Sequence, residues 1–251
     1  LKINELRRLI PDTPVLALTA TATPQVAKDI MEQLAFAEPN ILQTSFLRPN
    51  LSYSVRQTDD KDAQLMRIIR NVEGCGIVYV RMRNTAEKVA NYLIEQGESA
   101  SFYHGGLPNA ERSIRQDEWI SGKTRIMVAT NAFGMGIDKA DVRFVIHNSM
   151  CDSLEAYYQE AGRAGRDEQR AFAVLLYDPS QDKAKARKRV ADNYPPKEFV
   201  IDVYHKTCDF LGVGASSGQG HTFMLPIHDL CRIMHLPILQ TYSALHLLSQ
   251  M

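Results

Sequence analysis

The chain has 251 residues, 45% of them apolar, and its 29 Lys and Arg are matched by 29 Asp and Glu. That length allows one large domain or two smaller ones, and the apolar share is enough for an ordinary globular core. Zero net charge gives no bulk support for nucleic-acid binding, so any such surface must come from local clustering, and the apolar runs are too short for a membrane span.

From the start, Leu1 to Leu6 has helical character without an initiating Met, and the chain reads as a fragment with no signal segment. Val15 to Leu18 reads as a buried strand. Pro24 to Leu34 reads as a helix, with Thr23 as N-cap and Pro24 at the first position. Arg48 to Thr58 is extended and polar, which suits a linker. A helix over 62–72 and a β-branched strand over 76–80 follow. Residues 85–96 form an amphipathic helix with Ala86, Val89, Ala90 and Leu93 on one face. A short strand at 99–103 precedes a helix at 109–121 carrying Trp119 and Ile120. Further strands are read at 125–130, 144–146 and 171–176. Asp152 with Glu155 makes a capping box, so a short helix starts near Ser153 and ends near Gly162. The alternation predicts right-handed crossovers and a doubly wound parallel α/β sheet.

The composition changes after Tyr177. Lys183, Lys185, Arg187, Lys188 and Arg189 crowd one segment, which is a solvated helix face or a phosphate contact. Tyr194-Pro195-Pro196 breaks the chain. A helix over 197–211, a Gly/Ser-rich loop over 212–220 and two helices over 227–234 and 238–250 make a small, mainly helical region. The last pair reads as a helix-turn-helix or winged-helix beginning, or as an ordinary helical hairpin. The four cysteines, Cys75, Cys151, Cys208 and Cys231, are scattered and have no metal-ligand spacing.

The segment richest in chemistry is Gln159-Glu160-Ala161-Gly162-Arg163-Ala164-Gly165-Arg166-Asp167. Two guanidinium forks on a glycine-loosened stretch suit phosphate oxygens and look like an arginine finger offered to a neighbouring surface. The segment resembles the last motif of superfamily-two helicases, in the form typical of RecQ helicases. Val128 to Lys139, which contains Thr130, Gly134, Gly136 and Asp138, resembles the preceding RecQ motif. Leu18-Thr19-Ala20-Thr21-Ala22 resembles the motif coupling ATP state to DNA. Arg48-Pro49-Asn50-Leu51 resembles the RecQ signature between the two motor lobes. Tyr103-His104-Gly105-Gly106-Leu107 resembles a loop touching the nucleic-acid backbone. Five motifs stand in the family's order.

The resemblance implies a RecA-like second helicase lobe. Residues 1–47 would end the first lobe, 48–60 link the lobes, 61–180 form the second, 181–194 connect, and 195–251 form the helical region. It implies Arg166 as finger, Arg163 as sensor and Gln159 beside the phosphate or attacking water. Asp138, Gly136 and Gly162 would line the ATP side. Thr130, Gly134, His104, Gly105 and Arg81 would contact DNA, and Thr19, Thr21, Arg48 and Asn50 would couple the lobes. Arg81 and Arg83 depart from the small polar residues usual in the family. The implied activity is 3′ to 5′ unwinding of single-stranded and forked DNA, independent of sequence, by a cytoplasmic, nucleoid-associated bacterial monomer. The cofactors would be ATP and Mg2+. No Gly-Lys-Ser/Thr phosphate loop or Asp-Glu-Ala-His segment occurs; both are expected upstream, leaving this chain inactive alone. The four-cysteine zinc module common in the family is not found between Tyr177 and Tyr194, so no zinc is expected. The competing reading is a non-catalytic nucleic-acid or partner-binding module; an RNA translocase is disfavoured by the Arg48 to Leu51 signature.

Overall fold

A computed structural model describes the chain apart from residues 1, 12, 20, 37, 39, 135, 136, 215, 216 and 251. It divides into two compact units, Leu1–Tyr177 and Asp178–Met251.

The first unit begins with α1 (Lys2–Leu9) and α2 (Pro24–Gln33). The Thr23 side chain caps α2 by accepting from the Val26 N–H at 3.3 Å, as its position before Pro24 predicts. A sheet then alternates with helices: β1 (Leu51–Gln57), α3 (Lys61–Asn71), β2 (Cys75–Tyr79), α4 (Arg83–Glu95), β3 (Ala100–Tyr103), α5 (Asn109–Ile120), β4 (Ile126–Ala129), β5 (Val142–His147), α6 (Leu154–Ala161) and β6 (Ala171–Tyr177). The six strands run parallel in the order β1-β6-β5-β2-β4-β3.

Strand periodicity divides the core between the two faces of the sheet. Ile77, Tyr79, Met127, Ala129, Val145 and Ala173 point to one face with Trp119 and Ala161. Val78, Ile126, Val128, Phe144, Ile146 and Val174 point to the other, against Leu65, Ile69, Val89 and Leu93. Being covered on both faces explains why these strands read as unbroken apolar runs. Gly76 makes room for Phe144: a β-carbon there would lie 2.0 Å from the Phe144 ring.

Two sequence expectations are corrected. Val15 to Leu18 is not a strand. None of the six strands pairs with it, and Leu16 and Leu18 are exposed; an apolar run cannot hold extended structure without a ladder partner. The segment read as a linker instead contains β1, an edge strand paired residue by residue with β6 from Leu51 to Gln57. Its polar alternation fits an edge with one open face.

The second unit holds α7 (Asp182–Asn193), α8 (Lys197–Leu211), α9 (Ile227–Ile233) and α10 (Ile238–Leu248). Pro196 precedes α8, and Gly212 ends it in the left-handed conformation at φ +65°, the usual proline-in, glycine-out arrangement. Val203, Leu230, Cys231, Leu236 and Ala244 form its core. The α7 basic side chains are solvent-facing or half-buried. No strand occurs among the described residues of this unit, and no described helix of the chain is long and apolar enough to cross a membrane.

Candidate functional site

The two arginines sit on a loop whose backbone is held from below. α6 is capped by Ser153, whose hydroxyl accepts from the Ala156 N–H at 3.1 Å. Asp152, the cap expected from the sequence, instead pairs with Arg81 at 2.6 Å. After Gly162 the chain turns, and Gly165 adopts φ +62°. Its N–H donates to the Val142 carbonyl at 2.8 Å. Its own carbonyl accepts from Arg48 Nη2 at 2.5 Å and Asn50 Nδ2 at 2.7 Å. Asn50 also reaches the Gln169 carbonyl at 2.9 Å. The loop is thus pinned between the arginines, and a β-carbon on Gly165 would lie 2.6 Å from Asn50 Nδ2 and 2.9 Å from the Gln169 carbonyl.

The arginines then diverge. Arg163 is half-buried and lies against Gly134, where an added β-carbon would come within 2.7 Å of its Nη2. A side chain at 134 would require the end of Arg163 to shift. Tyr79 lies beside it and donates to the Phe133 carbonyl at 2.8 Å. Burial pushes the Tyr79 phenol up, against the pull of the neighbouring Arg163 charge. Arg163 Nε is buried without a hydrogen-bond partner among the described residues. Arg166 is more exposed and donates to Asp138 Oδ1 at 2.9 Å and the Ile137 carbonyl at 3.2 Å. The Asp138 side chain is 88% exposed, so this pair is easily exchanged for another anion.

The remaining expected residues fall into three groups. Gln159 Nε2 donates to Thr21 Oγ1 at 3.0 Å, and the Thr21 N–H donates to Thr19 Oγ1 at 3.3 Å. Tyr158 donates its hydroxyl to the Phe46 carbonyl. The Thr19 and Thr21 motif therefore meets α6 directly. Thr130 closes β4, is buried, and accepts from the Phe133 N–H at 3.0 Å, opening the Gly134 turn. Gly136 lies outside the described residues, and Gly162 is the C-cap of α6.

His104 is a correction. It is buried, its Nε2 bonds Glu87 at 3.0 Å, and its Nδ1 accepts from the Gly106 N–H at 3.2 Å. Neither ring nitrogen is left for a phosphate; the imidazole shapes the loop. Gly105 is exposed, and Arg83 Nη1 lies close over Gly106, which places a cation at this turn. Arg48 and Asn50, expected to clasp two lobes, grip the arginine loop.

The structure also assembles residues with no sequence signal. His147 Nε2 and Cys151 Sγ both bond Glu160 Oε2, at 3.0 Å and 3.3 Å. The three donors lie within 4.8 Å of one another and are the described group able to hold a metal. Burial and the Glu160 carboxylate push the Cys151 thiol up to about 12. It stays protonated near neutrality, which argues against a nucleophilic cysteine. The spacings, four and nine residues, cross a strand end, a loop and a helix, so no linear motif marks them.

Known proteins resemble this chain over about 70% of its length. The family of the helicase conserved C-terminal domain matches residues 60–168. RecQ of Bacillus subtilis, an ATP-dependent DNA helicase, is 42% identical over 179 residues, 70% of this chain and 30% of that protein. The Arabidopsis thaliana ATP-dependent DNA helicase Q-like 4B is 45% identical over 178 residues, 70% of this chain and 16% of that protein. The chain is RecQ-like over 70% of its length, with a helicase conserved C-terminal domain at residues 60–168. It spans less than a third of the length of these relatives. Among solved structures, yeast Dbp5 bound to RNA and ADP BeF3 superposes with a TM-score of 0.61 at 20% identity, covering 76% of this chain and 51% of that one. The yeast DEAD-box splicing factor Prp28 gives 0.53 at 22%, covering 68% and 39%. At those identities the likeness is one of fold, a RecA-like helicase lobe.

Proposed function

We propose that the RecQ protein containing this chain is an ATP hydrolase that unwinds DNA 3′ to 5′, and that this chain delivers the arginine loop to it. The observation that carries the reading is the double grip of Arg48 and Asn50 on the Gly165 carbonyl, midway between Arg163 and Arg166. A finger contributes to turnover only if it is held in place before the reaction. In this reading residues 1–47 end the first lobe, the chain from 48 enters the second through β1, and 61–180 complete the second.

The residues fit an anion. Arg163 has a buried Nε without a partner among the described residues, and the Asp138–Arg166 pair is exposed enough to open. Arg166 would swing from Asp138 onto the transferring phosphoryl group, and Arg163 would hold its position against Gly134. Gln159 would leave Thr21 to orient water, carrying the state of the site to the Thr19 and Thr21 segment. ATP with Mg2+ supplies the anhydride that is cleaved, held mainly by a first lobe. DNA contacts fall to Thr130, Gly134, Gly105 and Arg81, mostly through the phosphate backbone, so binding should weaken steeply with salt.

The test is ATPase activity of the full-length protein, with and without single-stranded DNA, beside Arg166→Ala. DNA-stimulated turnover that falls about 10³–10⁵-fold in the variant supports the reading. Unchanged turnover in the variant moves the finger to Arg163. An inactive full-length wild type favours the binding-module alternative. The 251-residue chain alone is expected to show no ATP turnover above background.

A further inference from the structure

We propose that the crevice between the carboxyl ends of β2 and β5 binds a divalent cation of the zinc class, ligated by His147 Nε2, Cys151 Sγ and Glu160 Oε2. The place is set by topology. β2 runs on through α4 to β3 on one side of the sheet, while its neighbour β5 runs on through α6 to β6 on the other. Adjacent strands whose connections part in this way open a crevice at their carboxyl ends, the usual ligand site of such sheets. Here it is a cavity of about 110 Å³ reached by Tyr79, Arg81, Asn131, Ser149 and Ala156 as well as the three donors.

The donor spacing fits an ion. Glu160 Oε2 lies 3.0 Å from His147 Nε2 and 3.3 Å from Cys151 Sγ, and all three atoms lie within 4.8 Å of one another. Zinc bonds of about 2.0–2.3 Å set tetrahedral edges of roughly 3.3–3.7 Å, so small side-chain shifts bring the set onto an ion. His147 is fully buried, stacked on Tyr79 and packed against the tilted ring of Tyr157, with ring centroids 5.6 Å and 4.6 Å away. It is a fixed ligand. Thiolate and imidazole select zinc, cobalt or cadmium over magnesium or calcium. Three protein ligands beside an open cavity leave a fourth position for water.

The proton balance is definite. Glu160 as a carboxylate only accepts, so Nε2 of His147 carries the proton in the free protein. On binding, that proton moves to Nδ1, the Cys151 S–H proton leaves to solvent, and Sγ, Nε2 and Oε2 bond the cation. One proton is released per ion. The bound ion would tie the last turn of α6, through Glu160, to the end of β5, and α6 leads directly into the arginine loop.

The test is titration of the reduced 251-residue chain with Co2+. A one-to-one complex with a thiolate-to-cobalt charge-transfer band, displaced by Zn2+ with release of one proton, is expected. Cys151→Ser should abolish that band and weaken binding about 100-fold or more, since losing even an outer-shell partner costs 10–100-fold. Cys75→Ser should leave it unchanged. Glu160→Gln, at a half-buried site, gives the same loss of affinity if Cys151→Ser fails to fold. No cobalt spectrum in the wild type, or an undiminished one in the folded Cys151 or Glu160 variant, overturns the site.

Discussion

Residues 162–170 and residues 13–19 both run without helix or strand, but only the first are held. The arginine loop is fixed by side chains reaching carbonyls from more than a hundred residues away in sequence. The earlier segment has Leu16 80% and Leu18 84% exposed and joins no sheet. Irregular backbone is therefore no measure of order. What decides is whether its polar groups find partners and its apolar groups find cover. Each substitution below asks whether that contrast is real.

The largest effect should come from the sheet that supports the loop. Phe144 is fully buried over Gly76. Phe144→Ala should cost about 3–5 kcal/mol, because Gly76 has no side chain to fill the space left behind. Chemical denaturation should show the loss in the midpoint with little change in slope. A cost under about 1 kcal/mol would mean the core is less tightly packed than the burial indicates.

Gly165→Ala comes next, at about 1–3 kcal/mol for a non-glycine residue at φ +62°. The new β-carbon must also displace Asn50, Ala171 or the Gln169 carbonyl. The arginines should move with it, so ATP turnover of the full-length protein should fall further than stability alone explains. A variant that melts and turns over like wild type would show that the clamp does not position the loop.

A smaller effect, confined to acid, comes from Asp167 on the same loop. The hydrogen bond from Arg143 holds its carboxyl below the usual carboxylate range. Because the folded value is depressed, its stabilisation is present above the unfolded carboxylate pKa of about 3.9 and is lost as pH falls through the lower folded value. Melting from pH 6 down to pH 3 should show a shallower acid decline in Asp167→Asn than in wild type. Parallel curves would assign the decline to other carboxylates.

Much of the sheet and its helices was legible because the strands are buried on both faces and the helices carry a regular apolar stripe. Ala86, Val89, Ala90 and Leu93 enter the core where that periodicity put them. α8 begins at Lys197 and ends at Leu211 as its flanking proline and glycine demand. What escaped the sequence was partnership. Nothing in Arg48-Pro49-Asn50 says that both side chains turn to Gly165, or that β1 pairs with a strand 120 residues on. His104 looked like a phosphate ligand because a histidine beside two glycines does not reveal that Glu87 occupies its ring. Cys151 looked isolated because its neighbours His147 and Glu160 come from a strand and a helix.

The smallest effect sharpens the comparison most. In the 251-residue chain Leu18 is exposed, so Leu18→Ala should change stability by no more than about 0.5 kcal/mol. The Val15 to Leu18 run, apolar at all four positions, is nonetheless too apolar for a free surface segment, and the proposed whole protein gives it a first-lobe sheet to join. There the same substitution would remove a buried leucine, at about 2–5 kcal/mol. Measuring Leu18→Ala in both proteins separates intrinsic from borrowed structure. A small cost in both would mean that the segment stays exposed and that Gln159 meets Thr21 without a lobe behind it. A large cost in the short chain would mean that this stretch is already packed and that its contrast with the arginine loop does not hold.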